Sequence, residues 1–173
     1  MSLISVAGDR PAADDPVQSL SRHLRKTYAQ QICAEMVLPA KAARFDSLPD
    51  DLDARLRRAL SARGIEQLYA HQAEAWQLAR EGRHYLVVTP TASGKTLCYN
   101  LPVLQAVCRG QGKALYLFPT KALAQDQVAE LLELNQAGGL GVRACTFDGD
   151  TPGDARKAIR TRGDIVVSNP DML

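Results

Sequence analysis

Gly94, Lys95 and Thr96 stand in a row, preceded by Thr89, Pro90, Thr91, Ala92 and Ser93. A loop of this kind that leads into a helix presents backbone N–H groups, with the helix dipole behind them, as a cradle for anions. Gly94 permits close backbone approach, Lys95 can reach the β- and γ-phosphates of a nucleotide, and the Thr96 hydroxyl can ligate Mg²⁺. The strict form of the pattern starts with glycine five positions before Gly94, where this chain carries Thr89. A Gly-Lys-Thr triplet can also be no more than a helix start with an exposed lysine. Its place between an apolar run and a helical pattern favours phosphate binding. Lys95 and Thr96 are then the candidate catalytic residues, and Thr96 the candidate metal ligand.

Those residues need elements that hold them. Residues 84–89 are apolar and rich in β-formers, which predicts a buried strand feeding the loop, with a helix from Lys95 to about Arg109. Further strands are expected over 113–118, 142–147 and 164–168, with helices over 121–135 and 155–162 between them. Strands alternating with helices specify a parallel sheet with right-handed crossovers, so the fold class is α/β. Upstream, a helix is predicted over 17–37, stopped by Pro39. A second runs over 51–63, with Leu52, Leu56, Ala59 and Leu60 on one face and Gly64 as its C′ residue. A third spans 71–81 and closes at Gly82. Residues 1–16 read as a disordered tail. The expected division is this tail, a helical extension over 17–66, and a nucleotide-binding part over 67–173.

Composition narrows the class. The chain has 173 residues, 46% hydrophobic and 23% charged, which excludes wholesale disorder. It has no apolar run of transmembrane length and no secretory pattern at its start. Cys33, Cys98, Cys108 and Cys145 include no C-x-x-C pair. That argues against a disulfide framework or zinc knuckle and for a cytoplasmic protein without a membrane partner. Net charge is +2, but residues 22–63 hold nine basic against five acidic residues, whereas eleven of each follow from Gly64 onward. That basic stretch is either a solvated helix surface or a phosphate-facing patch, and charge alone does not choose.

Other candidates fall near element ends. The amide of Gln72 offers one donor and one acceptor side, matching adenine's N6 and N7. Alone it would read as a surface helix residue, and only its place ahead of the loop favours adenine. Thr120 closes a strand and opens a helix, where a hydroxyl and a free N–H can hold a nucleic-acid phosphate or simply cap the helix. Asn169 and Asp171 follow the last strand and carry the same two readings. In an open parallel sheet such ends lie along one edge, where ligands bind.

In order along the chain, these segments resemble a known family. Thr89-Pro-Thr-Ala-Ser-Gly-Lys-Thr96 resembles motif I of superfamily 2 helicases of the DEAD/DEAH-box type, where a non-glycine first position is ordinary. Phe45, the helix ending at Gly64, and Leu68-Tyr-Ala-His-Gln72 resemble the Q motif, and the resemblance suggests adenine stacking for Phe45. Pro119-Thr-Lys-Ala-Leu-Ala-Gln-Asp-Gln127 resembles motif Ia. Asp148-Gly-Asp-Thr151 and Ser168-Asn-Pro-Asp-Met-Leu173 resemble later strand-end motifs, the last being motif Ib. The combination is similar to RecQ-related DNA-repair helicases with a C-terminal zinc-binding module. It covers about residues 31–173.

The resemblance implies a RecA-like sheet, ATP and Mg²⁺ as cofactors, and ATP-dependent helicase activity. Gln72 and Thr89 through Thr96 would face the nucleotide. Pro119, Thr120, Lys121, Asp148, Ser168 and Asn169 would face nucleic acid, with single-stranded DNA the expected partner. Hydrolysis in that family draws on a D-E-x-H or D-E-x-D box beyond motif Ib, and this sequence stops at Leu173, before any such box. It is therefore expected to be the front part of a helicase, with an incomplete sheet and no hydrolysis of its own. Asp148 could pass for a Walker-B aspartate, but Gly149 and Asp150 follow it and no glutamate is adjacent, which favours a loop or nucleic-acid role. Two alternatives stand: a non-catalytic ATP- or nucleic-acid-binding module, and another P-loop NTPase such as a small kinase, which motif Ia and the SNPDML segment disfavour.

Overall fold

Three short apolar segments pair in parallel, and the last of them in sequence takes the middle place. In the computed structural model, which describes residues 16–36 and 42–172, the elements run in this order. Helix α1 is Pro16–Thr27, strand β1 Phe45–Ser47, helix α2 Ala54–Ala62, strand β2 Gln67–Tyr69 and helix α3 Ala70–Arg80. Then come α4 Lys95–Cys108, β3 Ala114–Leu117, α5 Lys121–Gly138, β4 Ala144–Thr146, α6 Gly153–Arg162, β5 Ile165–Ser168 and a 3₁₀ turn at Pro170–Met172. The sheet order is β3-β5-β4, all parallel, with Ala114 and Ala144 both in register with Ile165. The chain divides into two compact units, one ending at Ala42 and the other starting at Ala43. Helix α2, expected in an N-terminal extension, thus belongs to the same unit as the sheet.

The central strand is the most enclosed, with Ile165 and Val167 fully buried. On α2, Leu56, Ala59 and Leu60 repeat at helical spacing and pack on α5, which contributes Leu131 and Leu134 to the same core. Each fully buried leucine contributes about 1.5–3 kcal/mol by transfer from water. Close approach of the two helices is set at Gly138, where an added Cβ would lie 2.6 Å from the Arg55 carbonyl and 3.1 Å from Ala59 Cβ. Asp53 caps α2 by accepting from Arg55 N at 2.9 Å. Gln105 of α4 then locks this start in place. Its Oε1 accepts from Asp53 N and its Nε2 donates to the Asp51 carbonyl, both at 2.9 Å.

Two expectations need correction, and a third feature was not expected at all. The helix predicted over 17–37 ends at Thr27 and gives way to a turn in which Gln31 N donates to Tyr28 O. None of its residues is buried, and a helix without a buried face has little to extend it. Pro39, its expected stop, lies outside the described residues, as does the expected tail before residue 16. The strand expected over 84–89 is not a strand, because no described segment pairs with it. Its side chains still alternate: Tyr85, Val87 and Thr89 are half-buried, whereas Leu86 and Val88 are 88% and 83% exposed. Third, β1 and β2 form an unexpected antiparallel pair that sets Phe45 opposite Tyr69.

Candidate functional site

The 89–96 loop is closed on itself. Thr89 Oγ1 and Ser93 Oγ lie 2.6 Å apart, and Lys95 Nζ donates back to the carbonyls of Thr89 at 2.9 Å and Pro90 at 2.7 Å. Thr91 and Ala92 are exposed at its tip. Ala92 has φ +59°, in the left-handed region where only glycine sits without strain. Gly94, at φ +74°, is the N-cap of α4 and has no side chain to occupy the free N–H groups that follow. The loop therefore leaves the positive end of a fourteen-residue helix open beside a lysine. Thr96 sits in the first turn of that helix, half-buried.

Gln72 reaches this loop from α3 and is only 3% exposed. Its Nε2 donates to the Gly94 carbonyl at 2.8 Å, and its Oε1 accepts from Tyr69 N at 2.9 Å. A Cβ on Gly94 would fall 2.6 Å from Gln72 Nε2, so the glycine is required as much by this neighbour as by its backbone angle. The same amide closes the capping box at the start of α3. Beside it, Phe45 and Tyr69 stack at 4.9 Å with an interplanar angle of 26°, and Tyr69 stacks on His71 at 5.7 Å. Sequence reasoning singled out Phe45 but passed over Tyr69 and His71. The antiparallel pairing of β1 with β2 puts residues 45 and 69 side by side, and strands this short leave no signal in the sequence from which to read it. His71 Nε2 is buried without a hydrogen-bond partner among the described residues.

The second cluster lies at the carboxyl ends of the parallel strands. Pro119 and Thr120 follow β3, Asp148 follows β4, and Asn169 follows β5. Thr120 caps α5, its Oγ1 accepting from Leu123 N at 3.3 Å, so the plain N-cap reading is realised. Lys121 is exposed and pairs with Asp150, and with Asp148 at 3.7 Å. That bond to Asp150 holds the lysine pKa above its ordinary value and the Asp150 pKa below it. Asp148 spends its carboxylate inside the loop, Oδ1 accepting from Asp150 N at 3.0 Å and from the Thr151 hydroxyl at 3.1 Å. Arg156 braces the same loop through the carbonyls of Thr151, Asp148 and Gly149. Ser168, expected to face nucleic acid, is 3% exposed, and its hydroxyl donates to the Phe147 carbonyl at 2.6 Å. As the last residue of the central strand it has neighbours on both sides, and it staples β5 to β4. Asn169 Oδ1 is buried without a partner among the described residues.

The basic stretch over 22–63 is largely committed elsewhere. Arg55 bonds Asp53 and the carbonyls of Leu140 and Cys108. Arg57 bonds the Pro49 carbonyl and Arg58 that of Gly138. Arg63 pairs with Glu130, and Arg25 with Glu35. These guanidinium groups serve packing and caps, which weighs against a continuous phosphate-facing patch.

Comparison with known proteins adds four likenesses. The sequence model of the family described as DEAD/DEAH box helicase matches residues 69–173. A relative in Bacillus subtilis, named an uncharacterized ATP-dependent helicase, YprA, is 51% identical over 134 residues, 77% of this chain and 18% of its own length. The ATP-dependent helicase hrq1 of Schizosaccharomyces pombe is 41% identical over 85% of this chain and 14% of its own. Among solved structures, the DUF1998 helicase MrfA bound to DNA and AMPPNP superposes with a TM-score of 0.74 at 50% identity, covering 76% of this chain and 19% of that one. The chain therefore spans less than a fifth of the length of each protein it matches here.

Proposed function

This chain belongs to the DEAD/DEAH box helicase family, and from that premise we propose that it binds ATP with Mg²⁺ at the 89–96 loop and nucleic acid along the strand ends, as the nucleotide-handling part of an ATP-dependent DNA helicase. The observation that carries the proposal is the loop itself. Lys95 folds onto two carbonyls at the open end of α4, and Gln72 fixes Gly94 from the side.

The residues present fit such a ligand. Phosphate oxygens are stronger acceptors for an ammonium than neutral carbonyls, so Lys95 would exchange its partners at Thr89 and Pro90 for charged ones. Gln72 keeps one amide hydrogen and one lone pair beyond its two backbone bonds, enough for an adenine edge. Phe45 and Tyr69 offer that base an aromatic face, and the Thr96 hydroxyl would ligate the metal. ATP with Mg²⁺ would supply the phosphoanhydride whose hydrolysis drives movement along a strand. Pro119, Thr120, Lys121 and Asn169 would meet the nucleic-acid backbone, with Asp148 shaping the loop that holds Lys121. In this reading the whole protein hydrolyses ATP and moves along single-stranded DNA in DNA repair. Likeness to MrfA bound to DNA supports the choice of DNA. Dispersed free cysteines support a cytoplasmic setting, and among the described residues no helix is long and apolar enough to cross a membrane.

Titration of the purified chain with a fluorescent non-hydrolysable ATP analogue and Mg²⁺ tests the reading. Saturable binding is expected, weakened at least tenfold by Lys95→Ala, about 1.4 kcal/mol. Equal affinity in the wild-type and Lys95→Ala chains would overturn it.

A further inference from the structure

The helix that starts at the phosphate loop and the helix that starts at Thr120 are tied together by two adjacent residues, Tyr99 and Asn100. The Tyr99 hydroxyl donates to Gln127 Oε1 at 2.7 Å, across from α4 to α5. Tyr99 also follows Thr96 by three positions, so the two side chains share a face of α4. Burial raises the Tyr99 pKa, and the Thr96 hydroxyl one turn away opposes that rise. A tyrosine hydroxyl has one proton and two lone pairs, so while it donates to Gln127 it keeps the capacity to accept from a Thr96 hydroxyl turned toward it.

A second tie runs in parallel. The Tyr99 ring meets Tyr116 edge-on at 5.5 Å, and Tyr116 meets Phe118 edge-on at 6.2 Å. The Tyr116 hydroxyl donates to Asn100 Oδ1 at 2.9 Å in a buried position. Asn100 is fully buried, and its amide nitrogen has no partner among the described residues, an uncommon cost for a residue one turn beyond a phosphate loop. Phe118 directly precedes Pro119 and Thr120. Both ties therefore start in the first turns of α4 and end at the segment that leads into or lies within α5.

We infer that Tyr99 is a positioning residue that couples the nucleotide loop to the nucleic-acid edge, through side chains running from Thr96 by way of the Tyr99 hydroxyl to Gln127. A hydroxyl whose oxygen lone pairs engage a cation keeps its proton free to donate onward, and a chain of such bonds strengthens along its length. Loop occupancy would then favour one placement of Gln127 and, with it, of the start of α5. By reciprocity, nucleic acid at Thr120 and Lys121 would raise nucleotide affinity by the same factor. This inference rests on the function proposed above.

The test measures the dissociation constant of the fluorescent ATP analogue with Mg²⁺ for the 173-residue chain, with and without a saturating single-stranded DNA oligonucleotide. In the wild-type chain, DNA is expected to shift it by about fivefold or more, within the usual range of coupling between sites. Tyr99→Phe keeps the ring and its edge-on contacts but lacks the hydroxyl. It should reduce the shift to less than about twofold while leaving affinity without DNA within about threefold of wild type. Gln127→Leu should do the same, and the double variant should lose no more than either single one. Wild-type coupling retained in Tyr99→Phe overturns the inference, as does an equal loss of affinity with and without DNA, which is the mark of a merely structural role. A wild-type chain that binds nucleotide with no shift overturns it too. A wild-type chain that binds no nucleotide instead defeats the function proposed above.

Discussion

Gln72 holds the carbonyl of Gly94 from 2.8 Å away while its other amide atom closes the start of α3, so one side chain joins two helix beginnings. The loop between strand-like residues and α4 is thereby positioned from outside, by a residue 22 positions earlier.

Gly94→Ala places a methyl 2.6 Å from Gln72 Nε2 on a backbone with φ +74°. The backbone alone costs about 1–2 kcal/mol, and the contact adds to it. Nucleotide binding by this variant is expected to disappear. Adding Gln72→Ala removes the obstruction but not the backbone cost, so the double variant should regain part of the melting temperature lost in Gly94→Ala. A double variant no better than Gly94→Ala would show that the close contact is not the limiting factor.

Asp53 makes a pH prediction with a definite sign. Its hydrogen bonds from Arg55, side chain first and backbone second, hold its pKa at about 2 against an ordinary value of 3.8. A depressed carboxyl contributes stability that is present above the unfolded value and lost as pH falls through the folded one. The melting temperature should therefore drop between about pH 4 and pH 2, and Asp53→Asn should flatten that part of the curve. An identical acid profile in Asp53→Asn would mean that other carboxyls dominate.

Lys121 is expected to bind phosphate more readily once freed from its internal partner. Asp150 is 81% exposed on its side chain, so Asp150→Asn should not harm folding. It should raise affinity for single-stranded DNA severalfold and steepen the fall of log affinity with log salt by up to one charge. Filter binding at several salt concentrations gives both numbers. Unchanged affinity would remove Lys121 from the nucleic-acid edge.

In the core, Leu131→Ala should cost about 2–5 kcal/mol, because Leu131 is buried where α2 packs on α5. Urea denaturation followed by circular dichroism measures it, and a cost under about 1 kcal/mol would contradict the described packing.

The alternating elements from α4 to β5 were legible because each carries its own signal: apolar runs of β-formers, helices bounded by Thr120 and Gly139, and a glycine opening α4. The phosphate loop was legible for the same reason, since Gly94, Lys95 and Thr96 are adjacent in sequence. What depends on partners was not. Residues 84–89 read as a strand from composition, yet a strand exists only where a neighbour supplies its ladder. Ser168 was expected to face nucleic acid because its motif ends a strand, and only the sheet order reveals that this strand is the middle one, which encloses its side chain. The β1–β2 pair, three residues a side, is too short to leave a periodic trace, so Tyr69 went unassigned as the stacking partner of Phe45.

Gly138 gives α5 the character of a gauged lever. At 18 residues the helix is about 27 Å long, and at its last residue only a hydrogen separates it from the Arg55 carbonyl of α2. Leu131 and Leu134, gripped in the core between, act as the fulcrum. A side chain of any size at residue 138 would pry that end outward and tip the opposite end, where Gln127 and Lys121 sit. A spectroscopic distance between labels on α2 and at the start of α5 would register the tilt in Gly138→Ala. The tolerance of the strand-end cluster is thus fixed by a missing carbon at the far end of the helix.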